Sequence, residues 1–487
     1  MKSFDVIIIG YGPTGGTLAS LLVKSNLSVL ILEKEKSLYP LPRAVHFDDE
    51  IMRVFDTIGI KEKFKKFTII NKGTKFVDNK GKVLLDWPRP REITENGSYP
   101  SYRFHQPDFE KVIRNHLKGY KNFSSKQNSN VIEIKNTKNY VDIISEDTET
   151  LKQDTFRCKY LVGCDGANSI TRKIINSQFD NLGFNQKWAV IDLILKKNKK
   201  LPDRTIQYAN SKRPATYCRN VGKRRRWEFV IKNNENEKKV VSDSFIWDFL
   251  KPWVKSNEAK IERKAIYTFK SRLAEHWVED RLILAGDSAH LTPPFMGQGM
   301  CIGLRDVSNL AWKLISVVRG QSDLSFLKSY EIERRPHAKE YISTAIKLGK
   351  MLGELSSNSK KGKEGPIHMK SLAPKIGNAF SIKEEEFARS LSLQPKLSNG
   401  QYVDDIVGYK FCLFLSEDLA SQFSGNNSNI IVFNSKDHPT IKEYLENLST
   451  KALLIRPDKY ILGGAKNLTE LNELLSLEFI NSVNNKI

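Results

Sequence analysis

The first part of the chain shows a change of hydrophobic period that predicts a β-α-β unit. An apolar run at 5–9 is followed by the glycine-rich segment 10–16 and by a helix-like stretch at 17–25. A second apolar run, 29–32, ends in Glu33. Short apolar runs joined by a helical stretch are typical of parallel strands covered by helices. We therefore expect a parallel sheet at the start of the chain.

The pattern between residues 185 and 270 differs, because strand-like segments follow one another without helices between them. These segments are 188–195, 205–209, 215–219, 227–231 and 264–269. They predict a mostly antiparallel sheet that is inserted as a second domain. Residues 300–350 are helical in pattern, and the polar segment 356–366 predicts a surface connection. Further strands are expected at 410–415, 430–433 and 452–456, in a small C-terminal strand-helix-strand region.

Composition is that of an ordinary globular protein, with 40% hydrophobic and 28% charged residues. No stretch approaches the roughly 20 apolar residues of a membrane span, and the N-terminus lacks the layout of a signal peptide. Five dispersed cysteines, without CxxC or metal-ligand spacing, favour a reducing compartment. We therefore expect a cytoplasmic protein with no disulfide framework and no metal site.

The net charge of +22 changes this picture little. The basic runs 196–200, 223–226 and 360–363 are separated and lack the interleaved aromatic residues on which single-stranded nucleic acids stack. We expect a basic surface without a specific nucleic-acid site. A positive field would still attract carboxylates and a phosphorylated nicotinamide.

The first motif with a chemical meaning is Gly10-x-Gly12-x-x-Gly15, between the first strand and the first helix. Such glycines make a tight turn and let the backbone approach a pyrophosphate at the helix N-terminus. Glu33, at the end of the next strand, is placed to accept hydrogen bonds from a ribose. The motif therefore predicts dinucleotide binding, without distinguishing FAD from NAD.

A second motif joins Gly286-Asp287 to a glycine-rich segment at 297–300. Asp287 follows an apolar strand, where its carboxylate can hold a ribityl chain. The segment after Pro293 opens a helix at 301–314, whose N-terminal N–H groups can face the anionic edge of a reduced flavin. Alone this is also consistent with an ordinary strand-helix junction. Together with the first motif it favours FAD bound between distant parts of the chain.

A third motif, Asp165-Gly166 with Ser169 and Arg172, also follows an apolar strand. The spacing suits a turn and a phosphate contact, but a structural turn held by an Asp–Arg pair explains it equally well.

With these three motifs in order and no second GxGxxG, the chain resembles the single-component flavoprotein aromatic hydroxylases of the para-hydroxybenzoate hydroxylase fold. Within that family it is most similar to 3-(3-hydroxyphenyl)propionate and 3-hydroxycinnamate hydroxylases. The resemblance covers residues 4–350 and continues faintly at 454–460. The matching segments are PRA at 42–44, DDE at 48–50, NQKW at 185–188 with Asp192, RP at 213–214, RWEF at 226–229, GQGM at 297–300, RD at 305–306 and NLAWKL at 309–314.

The resemblance implies an α/β fold in three parts. A Rossmann-like FAD-binding domain would comprise 1–180 and 272–355, with 80–105 contributing to the substrate side. The antiparallel substrate-binding sheet would span 181–271. A connection at 356–395 would lead to a thioredoxin-like C-terminal region, 396–487, that lacks CxxC. No separate nicotinamide domain is implied.

The resemblance also implies roles for single residues. Those expected to bind FAD are Gly10, Gly12, Gly15, Glu33, Arg43, Gln106, Asp165, Asp287, Gly299, Met300 and Cys301. The backbone of Pro293 would lie beside the isoalloxazine. The expected reaction uses NADPH or NADH and O2 to form a flavin C4a-hydroperoxide, which hydroxylates a phenolic aromatic acid.

Catalytic and substrate residues are harder to assign from the sequence. His46 is the candidate base that would deprotonate the phenol, because it follows the segment expected near the flavin. Tyr208, Arg213, Tyr217 and Arg219, in the expected substrate sheet, are candidates for binding a carboxylate. A homodimer is the default expectation.

Several alternatives stay open. The same fold hosts polyketide, quinone-precursor and resorcinol hydroxylases. A flavin reductase that saturates C=C bonds and a non-catalytic binding protein that has lost FAD are further alternatives, and the intact cofactor motifs disfavour the latter.

Overall fold

The computed structural model describes residues 1–210, 212–357, 372–380, 385–425 and 428–481. Its strands are β1 (Lys2–Ile9), β2 (Val29–Leu32), β3 (His46–Asp48), β4 (Thr68–Ile70), β5 (Gly73–Asp78), β6 (Val83–Pro88), β7 (Ser101–Phe104), β8 (Phe123–Lys126), β9 (Ser129–Asn136), β10 (Val141–Asp147), β11 (Gln153–Gly163), β12 (Phe179–Leu195), β13 (Thr205–Ala209), β14 (Ala215–Arg219), β15 (Arg224–Val230), β16 (Ala259–Ala274), β17 (Val278–Glu279), β18 (Leu282–Leu284), β19 (His290–Leu291), β20 (Phe411–Leu415), β21 (Ile430–Asn434), β22 (Ala452–Ile455) and β23 (Ile461–Ala465).

The helices are α1 (Pro13–Lys24), α2 (Asp49–Thr57), α3 (Lys61–Lys65), α4 (Gln106–Leu117), α5 (Ile170–Ile174), α6 (Glu237–Val240), α7 (Asp243–Leu250), α8 (Gly299–Val318), α9 (Lys328–Ser357), α10 (Val403–Val407), α11 (Glu417–Gln422), α12 (Pro439–Asn447), α13 (Leu468–Leu475) and α14 (Glu478–Asn481).

The first sheet is built on the predicted β-α-β unit. Its strands lie in the order β17-β18-β11-β1-β2-β8, and the hairpin β9–β10 is attached to β11. β1 pairs in parallel with both β2 and β11. The apolar second half of β1, residues 6–9, is buried; α1 packs against this strand and α8 packs against α1. The carboxyl ends of β1, β2 and β11 consequently meet at one edge, where a doubly wound sheet binds its ligand.

The second sheet has the order β19-β16-β12-β15-β14-β13-β5-β6, and it is antiparallel except for the pair β13–β5. The predicted strands at 205–209 and 215–219 are found at those positions. β5 and β6 come from an earlier part of the chain, so the sheet is not one continuous insertion. Its outer face is covered by α6 and α7 in an apolar cluster that includes Trp227, Phe229, Ile246 and Leu250. Its inner face turns towards the segment that precedes α8, since Trp188 packs on Phe295 there.

The strands β3, β7 and β4 form a small third sheet, in the order β3-β7-β4. β3 and β7 are antiparallel, and His46 is the register partner of Arg103. This sheet positions the chain that runs from Pro42 to α2 beside the start of α8, as the side-chain contacts below demonstrate.

The C-terminal region forms a fourth sheet, β21-β20-β22-β23, in which only β20 and β21 are parallel. The apolar side chains on one face of this sheet form a buried cluster with Trp312 of α8. The description "thioredoxin-like" remains a prediction from the resemblance. Residues 358–371 and 381–384 of the expected connection lie outside the described residues.

Among the described residues, no helix has the length and apolar character needed to cross a membrane. The same part of the chain holds no cluster of His, Cys, Asp or Glu side chains arranged to bind a metal ion. All five cysteines are free.

Candidate functional site

The glycines between β1 and α1 fall into two classes. Gly10 has φ +102°, and a Cβ there would lie 2.4 Å from the carbonyl oxygen of Cys164. A Cβ at Gly15 would lie 2.0 Å from the carbonyl oxygen of Gly10. At Gly12, by contrast, a Cβ would meet no heavy atom within 4 Å. Gly10 and Gly15 are therefore required by packing, whereas Gly12 leaves open space at the start of α1, where a phosphate can approach.

Glu33 closes this turn from the end of β2. Its Oε2 accepts a hydrogen bond from the backbone N–H of Tyr11 at 2.7 Å, and its Oε1 accepts one from Glu35 at 2.9 Å. Each oxygen retains a lone pair, so the carboxylate can hold the turn and still accept hydrogen bonds from a ribose.

Gln106 fixes the position of Arg43. Its Oε1 accepts hydrogen bonds from the backbone N–H groups of Ala44 at 2.7 Å and Arg43 at 3.2 Å, and its Nε2 donates to Glu110 at 2.7 Å. The Arg43 side chain is exposed and lies over the ring of Tyr39. No carboxylate of the described residues lies at ion-pair distance from Arg43, so this cation is available to phosphates.

Two carboxylates face the same edge of the first sheet. The Asp287 side chain is exposed, and desolvation by the surrounding protein raises its pKa. Within the described residues its carboxylate has no hydrogen-bond partner. Asp165 accepts hydrogen bonds from Thr171 through Oδ2, while its buried Oδ1 has none. Buried polar atoms normally have partners, so the unpartnered Oδ1 of Asp165 indicates a ligand that can donate a hydrogen bond there.

Ser169 and Arg172 are structural, as the alternative interpretation of the third motif proposed. Ser169 caps α5 by accepting a hydrogen bond from the backbone N–H of Arg172. The Arg172 guanidinium donates to the carbonyl oxygens of Ser288 and Ala167.

The segment before α8 is held by His46. Gly297 has φ +64°, and its carbonyl oxygen accepts a hydrogen bond from His46 Nδ1 at 3.1 Å. Because Nδ1 must carry the proton, Nε2 accepts from Ser101 Oγ at 2.7 Å. Asn71 in turn donates to Ser101 Oγ at 2.8 Å. Burial, followed by the charge of Arg103, lowers the pKa of His46 to about 3.

This network argues against His46 as the base that deprotonates a phenol. Both ring nitrogens are occupied, and a group that is neutral down to about pH 3 has little affinity for a proton at neutral pH. The geometry instead makes His46 a positioning residue for Gly297.

The first turn of α8 is anchored in the same region. Gln298 donates to Asp48 Oδ2 at 3.0 Å, and Arg305 pairs with Asp48 at 2.7 Å and with Glu50 at 2.5 Å. The N–H groups of Gly299, Met300 and Cys301 lie in this turn, where a helix leaves its donors without intrahelical partners. Burial raises the pKa of the Cys301 thiol well above its ordinary value, so the thiol is neutral and only the backbone N–H of Cys301 is suited to face an anionic group. Pro293 is buried at the start of this segment.

The four predicted substrate residues lie on the wrong face of the second sheet. Tyr208 packs on Trp253 and Tyr217 on Trp227, within the outer apolar cluster under α7. Arg213 pairs with Glu235, and Arg219 pairs with Asp203. Because side chains alternate between the faces of a strand, Tyr208, Tyr217 and Arg219 point away from Phe295 and the α8 segment. Arg213 lies between two strands, and its guanidinium stacks on Phe229 and Phe245 of the outer cluster. All four are unsuited to contact a substrate at the cofactor.

The inner face carries the polar residues to which sequence reasoning assigned no role. Arg226 donates to the carbonyl oxygens of Pro42 at 2.7 Å and Arg43 at 2.8 Å, and it pairs with Asp192 at 2.7 Å. Arg263 also pairs with Asp192, at 2.8 Å. This row ties the sheet to the chain segment that carries Arg43. The alternation of charged and aromatic residues at 226–229 could have predicted a polar inner face.

Comparisons with known proteins identify the family to which the chain belongs. Residues 3–345 match the family described as "FAD binding domain". A probable NADH-specific resorcinol 4-hydroxylase from Rhodococcus jostii is 35% identical over 356 residues, which cover 72% of this chain and 66% of that protein. A 3-(3-hydroxy-phenyl)propionate/3-hydroxycinnamic acid hydroxylase from Burkholderia vietnamiensis is 33% identical over 350 residues, 72% of this chain and 63% of that protein. The chain thus spans slightly less than two thirds of the length of these relatives.

The fold is also that of solved structures. An aklavinone-11 hydroxylase, determined with FAD and aklavinone, superposes with a TM-score of 0.80 over 98% of this chain and 99% of its own, at 16% identity. An anhydrotetracycline hydroxylase from Streptomyces rimosus gives a TM-score of 0.77 over the same shares, at 19% identity. The expected α/β fold and the resemblance to flavin-dependent aromatic hydroxylases are confirmed.

Proposed function

The chain belongs to the FAD binding domain family. On this basis, we propose that it is a monooxygenase that hydroxylates a phenolic substrate. The reductant would be NADH or NADPH, and O2 would supply the oxygen atom. The observation that carries the proposal is the convergence of two surfaces at residues 293–297. On one side, the turn that carries Asp287 packs against α8 and against Thr14 of α1. On the other side, Trp188 of the second sheet packs on Phe295.

The residues present fit an FAD along the edge of the first sheet. Gly12 and Arg43 would hold the pyrophosphate, Glu33 a ribose, and Asp287 the ribityl chain. The first-turn amides of α8 would face the pyrimidine edge of the ring system. When bound, the flavin supplies the electron transfer and the activation of oxygen.

The protein contributes a cluster of aromatic side chains beside the segment that precedes α8. Trp188, Phe184 and Phe295 pack edge to face with centroid distances of 5.4 and 5.8 Å, and they form an aromatic wall. Such a wall excludes water, which would otherwise divert reducing equivalents to H2O2. It also offers an apolar surface on which an aromatic substrate can be oriented.

Two substrate classes have support. A phenolic acid such as 3-(3-hydroxyphenyl)propionate is supported by the similarity to hydroxylases that carry that name. A neutral phenol of the resorcinol type is supported by the relative that is 35% identical. A cytoplasmic location and an isologous homodimer are further parts of the proposal, and size-exclusion chromatography tests the latter.

The direct test is anaerobic reduction of the purified yellow protein by NADH and by NADPH, with a panel of phenols. We expect a substrate to accelerate reduction and, on admission of air, to yield a hydroxylated product. Protein that cannot be reconstituted with FAD would contradict the proposal. So would reduction that every phenol leaves unchanged, followed by H2O2 as the only product.

A further inference from the structure

A polar row crosses the inner face of the second sheet. Gln207 of β13 is the register partner of Thr216 of β14, and Thr216 is the partner of Glu228 of β15. The neighbouring row contains Arg226, which binds the carbonyl oxygens of Pro42 and Arg43. The polar row therefore runs beside the segment around Pro42 and Arg43 that would hold FAD, the cofactor segment.

The row on the other side is apolar. It contains Val230 and its register partner Trp188, which packs on Phe295. The three polar residues thus lie between the cofactor segment and the aromatic wall, where the ring of a substrate would be placed.

The Glu228 carboxylate has no hydrogen-bond partner among the described residues. The side chain is buried. The nearest cation, Arg226, is 3.7 Å away and is already engaged by Asp192 and two carbonyl groups. The hydroxyl of Thr216 donates to Gln207 at 2.6 Å and not to Glu228. Burial, only partly offset by Arg226, raises the pKa of this carboxyl.

Arg103 is a buried cation that reaches the same face from β7. It donates to Thr205 Oγ1, next to the row of Arg226, and no carboxylate of the described residues lies at ion-pair distance. Its charge acts on Glu228 through space, and that of Glu228 acts on it. Glu228 has only a long ion-pair contact with Arg226, and Arg103 has no carboxylate partner among the described residues. Because poorly compensated buried charges are costly, this acid and this cation are suited to a polar ligand.

A phenol has the complementary chemistry. Building on the proposed function, we propose that Glu228 accepts the proton of the ring hydroxyl of the substrate and that Arg103 binds the resulting phenolate oxygen. The O–H bond breaks, its electron pair stays on oxygen, and the proton bonds to the Glu228 carboxylate. The phenolate ring is more electron-rich at its ortho and para carbons. The end of the substrate that lies beside Glu228 and Arg103 is thus recognised through a hydroxyl group and not through a carboxylate.

The test compares Glu228→Gln with the wild-type holoenzyme, using resorcinol and 3-(3-hydroxyphenyl)propionate. Glutamine keeps the shape of the side chain but cannot take up the proton. We expect normal FAD content, hydroxylation slowed by about 100-fold or more, and reducing equivalents diverted to H2O2. The acid limb of the pH profile of hydroxylation should disappear. The charged groups around Glu228 are Arg226, Asp192, Arg263 and Arg103, and the variant leaves them in place.

Two variants complete the design. Arg103→Gln should raise the Kd of the phenol by about tenfold or more, and Arg103→Lys should recover part of that loss. Glu258→Gln, at the exposed end of the same domain, is the matched control and should match the wild type.

If Glu228→Gln converts the same share of its reducing equivalents to hydroxylated product as the wild type, and its pH profile is unchanged, the inference is overturned while the proposed function stays intact. A wild-type enzyme that holds FAD but hydroxylates no phenol would overturn the proposed function, and the inference with it. If Glu228→Gln loses FAD, the wild type decides the matter with O-methylated substrates. Hydroxylation of such an ether at the rate of the free phenol would refute the role of Glu228, and its absence would support it.

Discussion

At the scale of single residues, His46 illustrates how hydrogen bonds decide between two roles. Its Nδ1–H donates to Gly297 and its Nε2 accepts from Ser101. We expect His46→Ala to weaken FAD binding by about tenfold, because the segment before α8 loses its anchor. His46→Asn retains a donor near the position of Nδ1 and should be milder. Neither variant should shift the pH profile of hydroxylation, as measured with the phenol panel. If the acid limb of the pH profile of hydroxylation disappeared in both His46 variants, His46 would again be the candidate base.

Asp287 permits a sharper test of the cofactor site. Its carboxylate has no hydrogen-bond partner among the described residues and is exposed. Asp287→Ala should therefore leave the stability of the apoprotein unchanged and weaken FAD by about 10–100-fold, the equivalent of one or two strong hydrogen bonds. Fluorescence titration of the apoprotein with FAD measures this. Glu279→Ala, at the exposed residue of β17, is the control. Equal affinities for both variants would place the ribityl chain elsewhere.

The candidate substrate residues show what a sequence cannot resolve at this scale. Both faces of β13–β15 are buried, one under α7 and one towards the α8 segment. Tyr217 and Glu228 therefore both occur in buried strands, and burial alone does not say which faces the cofactor. Only the register of neighbouring strands, which is a non-local property, separates the two faces.

At the scale of elements, the turn between β1 and α1 was predictable because its determinants are local. Strand, glycines, helix and Glu33 follow within one short segment, and the structure has them in place. The small sheet β3-β7-β4 and the strands β5 and β6 were not predicted, since they depend on partners distant in sequence.

The same turn gives an element-scale prediction. Gly12→Ala meets no protein atom within 4 Å and has an ordinary φ of −80°, so the apoprotein should keep its stability. A bound pyrophosphate would contact the added methyl group, and FAD affinity should fall by more than about tenfold. Gly15→Ala should destabilise the apoprotein itself, by about 1–3 kcal/mol, because its Cβ would lie 2.0 Å from the carbonyl oxygen of Gly10. Thermal unfolding with and without FAD distinguishes the two. A Gly12→Ala protein with normal FAD affinity would contradict the assigned phosphate site.

At the scale of the whole molecule, the C-terminal region is joined to the FAD-binding part through buried charges. Arg456, in the turn before β23, pairs with Glu333 of α9 at 2.6 Å. Glu333 also accepts from Lys313 of α8 at 2.7 Å, and Asn309 donates to Asp458 at 3.0 Å. A sequence does not reveal such a network, because its members come from segments more than 100 residues apart. The C-terminal region is thereby part of the folded unit and not a separate appendage.

This network predicts how stability depends on pH. The Arg456 and Lys313 charges outweigh burial and lower the pKa of Glu333 to about 2. The unfolded chain, with a carboxyl pKa near 4.5, binds more protons between these values, so stability rises with pH across this window. The contribution of Glu333 is complete above pH 4.5 and is lost as the pH falls towards 2. Lys313, whose pKa is lowered to about 8, does not titrate there.

Glu333→Gln should therefore cost about 3 kcal/mol at pH 7, because it leaves two buried cations without their carboxylate. The difference from the wild type should narrow as the pH falls from 4.5 to 3.5. Denaturant unfolding of the two holoproteins at several pH values measures this difference. Glu446→Gln, on the exposed face of α12, should behave like the wild type throughout. A cost that stays constant down to pH 3.5 would mean that Glu333 does not stabilise the fold as an ionised partner, and that the two parts of the molecule are held together chiefly by the apolar contacts around Trp312.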